Sequence, residues 1–251
     1  MHLTLVRHAT LSVRAAGLRL LVDPQLDPQG AREGVPGTPN PRPTPLVDLP
    51  QPPEAVVDSV DAVLVTHLHG DHFDATAKRL IPKATPLVCQ PPDAAALRHE
   101  GFTDVRPVED ELTLGAIAIA RTGGEHGRGE IGAKMAPVSG FVLKAENEPT
   151  LYIAGDTILC DAVREAVARH RPDVIVVNAG AAQFLEGGPI VMDNDDVVAL
   201  AGETDALIVA VHFETVSHST QTRADLHERL REAELTHRVT VPEDGSEVPL
   251  D

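Results

Sequence analysis

The sequence has no tryptophan, one tyrosine and five phenylalanines among its 251 residues. A core for a chain of this length must then be filled by Val, Leu, Ile and Ala, whose short runs suit the buried strands of α/β layers. Cysteine is equally scarce. Cys89 and Cys160 are the only two, too few for a disulfide framework, and read as reduced, partly buried thiols. No apolar run approaches the roughly 20 residues of a membrane span. The start, Met1 to His8, lacks the basic stretch, apolar core and small-residue cleavage site of a secretory signal. Basic clusters are missing too, and a net charge of −17 argues against a nucleic-acid partner, which needs grouped Lys and Arg. The acidity itself reads as a solubility feature. Together these absences lead us to expect a cytoplasmic protein with no membrane and no nucleic-acid partner, acting on a small molecule, with a homo-oligomer left open.

What is present divides into one unusual stretch and a regular remainder. From Gln25 to Pro53 the chain holds nine prolines, a density that excludes helix and central strand. A loop this long within a compact domain is either functional or disordered: a cover over the active site or a solvated excursion. Before it, Leu3 to Arg7 and Leu18 to Val22 read as an opening hairpin ending at Asp23-Pro24. After it, strands are expected at Ala62 to Thr66, Leu87 to Cys89, Leu112 to Arg121 (bent at Gly115), Gly140 to Lys144, Leu151 to Ala154, Val174 to Asn178 and Leu207 to His212. Helices are expected from about Asp74 to Leu80, Pro91 to Glu100, Asp161 to His170, Asn194 to Ala201 and Arg223 to Leu235. Asp193 reads as an N-cap with Asp196 three residues on. We expect a single domain over residues 1–251, with sheet layers stacked and helices outside.

One constellation stands apart from this regular pattern. His67 and His69 follow a buried strand two residues apart, so an extended backbone points both imidazoles to one side. Asp71 and His72 fall on the turn into the next helix. Four ligand-type side chains within six residues must shed water to crowd together, and a divalent cation is the simplest compensation. His2, His99, His170, His227 and His237 read instead as ordinary surface histidines.

The string Thr66-His67-Leu68-His69-Gly70-Asp71-His72-Phe73-Asp74 resembles the signature of the metallo-β-lactamase superfamily. Further ligands are then expected in order, and His126 in Gly-Gly-Glu-His-Gly, Asp156 after Tyr-Ile-Ala-Gly and His212 after Val-Ala-Val occupy the matching places. Taken singly, Asp156 also reads as a helix N-cap and His212 as a core histidine. The resemblance covers nearly the whole chain and implies a four-layer αββα sandwich of two mixed sheets. It implies His67, His69 and His126 on one metal, Asp71, His72 and His212 on the other, and Asp156 bridging. His8-Ala9-Thr10 and the Val22-Asp23-Pro24 turn are similar to the branch that includes ascorbate-6-phosphate lactonase-like hydrolases.

Such a site leads us to expect a metal-dependent hydrolase in which hydroxide generated on a metal pair attacks an ester-like bond in a lactone, a phosphodiester or a related metabolite. Zinc is the first choice, with manganese, iron or nickel as alternatives. Asp71 is expected to ligate and to orient the nucleophile. His218 is read as either a substrate-holding or proton-donating residue or a surface one, His8 and Asp23 as residues that orient ligands, and Arg223 as either a partner for an anionic substrate or an ordinary helix residue. The opposing class is a metal-binding or di-iron redox protein of the same fold without hydrolytic activity.

Overall fold

The structure, a computed structural model, describes residues 1–250. In chain order its first half contains β1 (His2–Arg7), β2 (Thr10–Ala15), β3 (Leu18–Val22), α1 (Pro53–Val57), β4 (Ala62–Val65), α2 (Ala75–Leu80), β5 (Leu87–Cys89), α3 (Ala94–His99) and β6 (Val105–Pro107). Next come β7 (Glu111–Leu114), β8 (Ile117–Thr122), α4 (Gly129–Met135), β9 (Gly140–Lys144), β10 (Leu151–Ile153), α5 (Asp161–His170) and β11 (Val174–Asn178). The chain closes with α6 (Asn194–Glu203), β12 (Leu207–Val211), α7 (Arg223–Glu232), β13 (Val239–Thr240) and β14 (Glu247–Val248). These form two seven-stranded mixed sheets, ordered β14-β1-β2-β3-β4-β5-β6 and β13-β12-β11-β10-β9-β8-β7. Helices cover the outer faces, which is the four-layer αββα arrangement the sequence led us to expect.

Alternation along the strands explains how uninterrupted aliphatic runs serve three layers. Ala62 and Leu64 of β4 face the space between the sheets, together with Val174, Val176, Val209 and Val211 of the other sheet. Val63 and Val65 turn outward to meet Ala77 of α2 and Leu97 of α3. Ile175 and Val177 do the same beneath α5, α6 and α7. Both faces of each central strand are buried, so a polar residue is tolerated only where a strand ends.

The opening hairpin is corrected. Leu3–Arg7 and Leu18–Val22 do not pair with each other; β2 lies between them and pairs antiparallel with both. Thr10 to Ala15 alternates inward Leu11 and Val13 with polar Ser12 and Arg14, a period-two pattern that does not stand out as an aliphatic run. The turn from β1 to β2 places His8 at φ 62. Beyond the expected elements there are α1, α4, β6, β13 and β14, all short, and the 91–100 helix begins as a 3₁₀ turn at Pro91–Asp93.

The proline-rich segment is irregular, as its composition demands, and it is tied down. Arg7, wholly buried, donates to the carbonyls of Gln25, Asp27 and Val47 and to the Gln25 side chain. Asp74 fastens the other side. Its Oδ1 caps α2 by accepting from Ala77 N at 2.8 Å, and its Oδ2 accepts from Asp27 N at 2.6 Å. Burial raises the Asp74 pKa to about 6, so both N–H partners are needed to keep the carboxylate ionised at neutral pH. Replacing Asp74 by Ala is expected to cost about 2 kcal/mol in urea denaturation, and Asp74→Asn, which keeps one acceptor, about half of that.

Candidate metal centre

Parallel strands β3, β4, β10, β11 and β12 end on the same side of the sandwich, and their last residues or the turns after them supply the site. His67 follows β4, Asp156 follows β10, and His212 follows β12. Gly155 shows why the chain turns as it does. Its φ is +70°, and a Cβ there would lie 2.8 Å from the Ser139 carbonyl oxygen, so only glycine lets β10 turn and aim Asp156 inward.

The ligand-type residues converge. His67, His69 and His126 form one group and His8, Asp71, His72 and His212 a second, the donor atoms of each lying within 4.8 Å of one another. Asp156 sits between them. Its Oδ2 is 3.4 Å from His126 Nε2 and 3.9 Å from His67 Nε2, while its Oδ1 is 3.3 Å from His72 Nε2 and 3.5 Å from His212 Nε2. Asp71 Oδ2 lies 3.3 Å from His8 Nε2, 3.8 Å from His212 Nε2 and 3.9 Å from His72 Nε2. The grouping implied by the family pattern is thus reproduced in space, with one change. His8 stands within the second group itself, its ring tilted by 35° against that of His212 at 3.8 Å between centroids.

Partners behind the rings fix which nitrogen faces inward. His72 Nδ1 donates to Asp23 Oδ2 at 2.9 Å, and the same carboxylate accepts from Thr66 N and Thr66 Oγ1 at 2.7 Å each. His126 Nδ1 donates to the Ile190 carbonyl at 2.6 Å, and His67 Nδ1 meets Thr66 Oγ1 at 3.1 Å. Asn178 Nδ2 donates to Asp156 Oδ1 at 2.6 Å. Asp23 therefore has the orienting place expected of it. Asn178, Thr66 and the Ile190 carbonyl were missed by the sequence reading; the one available signal was a lone polar Asn closing the apolar run of β11.

Electrostatics confirm that the cluster is balanced only with difficulty. Burial opposes ionisation of Asp71 and Asp156, yet the imidazoles of His72, His212, His8 and His126 hold both carboxyls well below their usual range. Burial likewise pushes His67 and His8 far down. Against that same penalty, Asp156, Asp23 and Asp71 pull His72 well above its ordinary value. His72 Nε2 and both His212 nitrogens are nevertheless buried with no hydrogen-bond partner. Orphaned imidazole nitrogens facing two carboxylates fit divalent cations, and thiolate-free His and Asp donors suit zinc or manganese.

The cluster forms the floor of a cavity of about 290 Å³, whose lining adds Val35, Met135, Ala182, Phe184, Ile190 and Val216 together with Arg32 and Gly70. His218 also lines it, nearly buried, with Nδ1 unpartnered and its pKa lowered by burial. Arg32, Glu33, Val35 and Thr44 come from the proline-rich segment, which here lies against the cavity. The substrate-pairing alternative for Arg223 is corrected: Glu214 and Asp244 take its guanidinium at 2.7 and 2.8 Å, and the Pro242 carbonyl accepts from Nε.

Residues 18–213 match the model of the β-lactamase superfamily domain, and the chain belongs to that family. Within it, the UPF0173 protein YddR of Bacillus subtilis (strain 168) is 38% identical over 249 residues, 98% of each chain. Two solved structures are 34% identical. A possible metal-dependent hydrolase from Veillonella parvula DSM 2008 superposes with a TM-score of 0.95, covering 99% of this chain and 98% of that one. An isothiocyanate hydrolase from Delia radicum gut bacteria does so with a TM-score of 0.94, covering 99% of both. The chain thus sits among the family's metal-dependent hydrolases. Among the described residues, no helix is long and apolar enough to cross a membrane.

Metal analysis of the purified protein is expected to give close to two divalent ions per chain. His126→Ala should lose about one and Asp156→Asn should weaken both; retention of both ions in the two variants would remove the assignment.

Proposed function

We propose that this metal-dependent hydrolase works through a dinuclear centre held by His67, His69, His126, Asp71, His72 and His212 with Asp156 between them, and cleaves a small uncharged molecule at an electrophilic carbon. The observation behind this reading is the placement of Asp156, one oxygen toward each group of imidazoles, on the floor of a largely apolar cavity. Two divalent cations there would supply Lewis acidity and lower the pKa of a bound water to about 7. Zinc is the first candidate and manganese the second.

The chain's own residues divide the remaining work. Asp71, on the cavity wall, is a hydrogen-bond acceptor for the attacking water and orients it. His218, kept neutral by burial, accepts a proton as that water attacks and returns it to the leaving atom. The apolar wall from Val35 to Val216 excludes water and takes the body of the substrate.

An isothiocyanate is the substrate class we favour, given the 34% identity to an isothiocyanate hydrolase over nearly the full length. Water adds to the central carbon, the C–N bond breaks as nitrogen gains two hydrogens, and an amine and carbonyl sulfide leave. Lactones meet the same requirement for a neutral electrophilic carbon. Phosphodiesters fit less well, because Arg32 is the one cationic side chain lining the cavity and Asp27 stands 3.5 Å from its Nε.

The test is turnover of phenyl isothiocyanate beside lactones, thioesters and phosphodiesters, with zinc- and manganese-loaded protein. Turnover of the isothiocyanate, lost on chelation and in His67→Ala, is expected. Activity confined to phosphodiesters, or a reducible iron pair without hydrolysis, would overturn it. His218→Ala is expected to lower kcat by about 10²-fold or more while metal content holds; unchanged turnover would remove His218 from the chemistry.

A further inference from the structure

Besides its apolar lining the cavity has one guanidinium, that of Arg32 from the proline-rich segment. Its Nη1 lies where a Cβ on Gly70 would come within 2.8 Å. Gly70 is not among the residues with positive φ, so what glycine gives between His69 and Asp71 is room for the guanidinium in this position. Any side chain there would push the guanidinium off the wall.

Arg32 is held from behind. Nε and Nη2 are hidden from solvent and make no hydrogen bond, and the Asp27 carboxylate stands 3.5 Å from Nε. Asp27 is itself fixed, accepting from Thr76 N at Oδ1 and donating its own N–H to Asp74. The ion pair offsets the charge of Arg32 and leaves Nη1 as the nitrogen free to meet a ligand. Arg32 and Gly70 also border an adjoining open groove of about 650 Å³, so the residue touches both spaces.

We infer that Arg32 is a substrate-binding residue, donating from Nη1 to an uncharged acceptor, such as an ether or carbonyl oxygen, in the part of the substrate remote from the attacked carbon. Charge balance by Asp27, with Glu33 also on the cavity wall, disfavours an anion at this position. This assignment rests on the hydrolase reading of the same site.

Pentyl and 3-methoxypropyl isothiocyanate have chains of equal length and differ by one oxygen; N-pentylacetamide and N-(3-methoxypropyl)acetamide are their unreactive counterparts. The wild-type protein is expected to favour the ether member about tenfold, in kcat/KM for the first pair and in Kd for the second. Arg32→Met, similar in reach but without donors, should bring both ratios to about one, and Arg32→Lys should recover part of each. No preference in the wild type, or a preference that survives in Arg32→Met, overturns the assignment. So does a stronger preference for 4-isothiocyanatobutanoate, which would make Arg32 an anion receptor. If neither isothiocyanate is turned over while the acetamide ratios behave as expected, the isothiocyanate reading fails and the role of Arg32 stands.

Discussion

Everything at the candidate centre depends on the contact of one carboxylate with two sets of imidazoles. Asp156 has both oxygens engaged, one on each side, and Asn178 holds it from below. Among side chains buried as deeply as His67, His72, His126, Asp156 and His212, such a set is costly unless positive charge enters among the donors. The surrounding architecture answers that cost. Parallel strands bring the groups to one rim, and hydrogen bonds from behind orient the rings of His67, His72 and His126.

The metal-binding pattern was legible because its chemistry is local. His67, His69, Asp71 and His72 lie within six residues, and no ordinary surface asks for that density. His126, Asp156 and His212 were legible only by order and by their positions near strand ends. The residues that steady them were not. Asp23 reaches His72 across 49 positions and Asn178 reaches Asp156 across 22, and long-range partners leave no periodicity to read. Strand β2 was overlooked because Ser12 and Arg14 dilute its apolar signal. Arg32 was hidden for a related reason: a single arginine in a proline-rich stretch looks like solvent-facing loop until the fold sets it over Gly70.

Three residues around the centre, His8, Asp23 and His212, have φ of 62°, 43° and 76°. Non-glycine residues adopt this region at a cost of about 1–3 kcal/mol each. All three are buried, and each contributes a hydrogen bond or a donor atom to the cluster. The backbone is therefore bent at the places where side chains must converge, and the sheets on either side supply the stability that tolerates it.

The anchoring of the proline-rich segment has its own consequence. Arg7 grips that segment through carbonyl oxygens and one amide, with no carboxylate among its hydrogen-bond partners. Dipoles of the peptide group neither titrate nor attract counterions, and the guanidinium lies out of reach of solvent. The Arg7 grip is accordingly indifferent to ionic strength and to acidity across the range in which surface ion pairs such as Arg164 with Glu203 loosen, and the acid-sensitive anchor of the segment is Asp74, with its pKa raised to about 6. An enzyme with a net charge of −17 can thus experience large changes in salt while Arg7 keeps its hold on the segment that lines the substrate chamber.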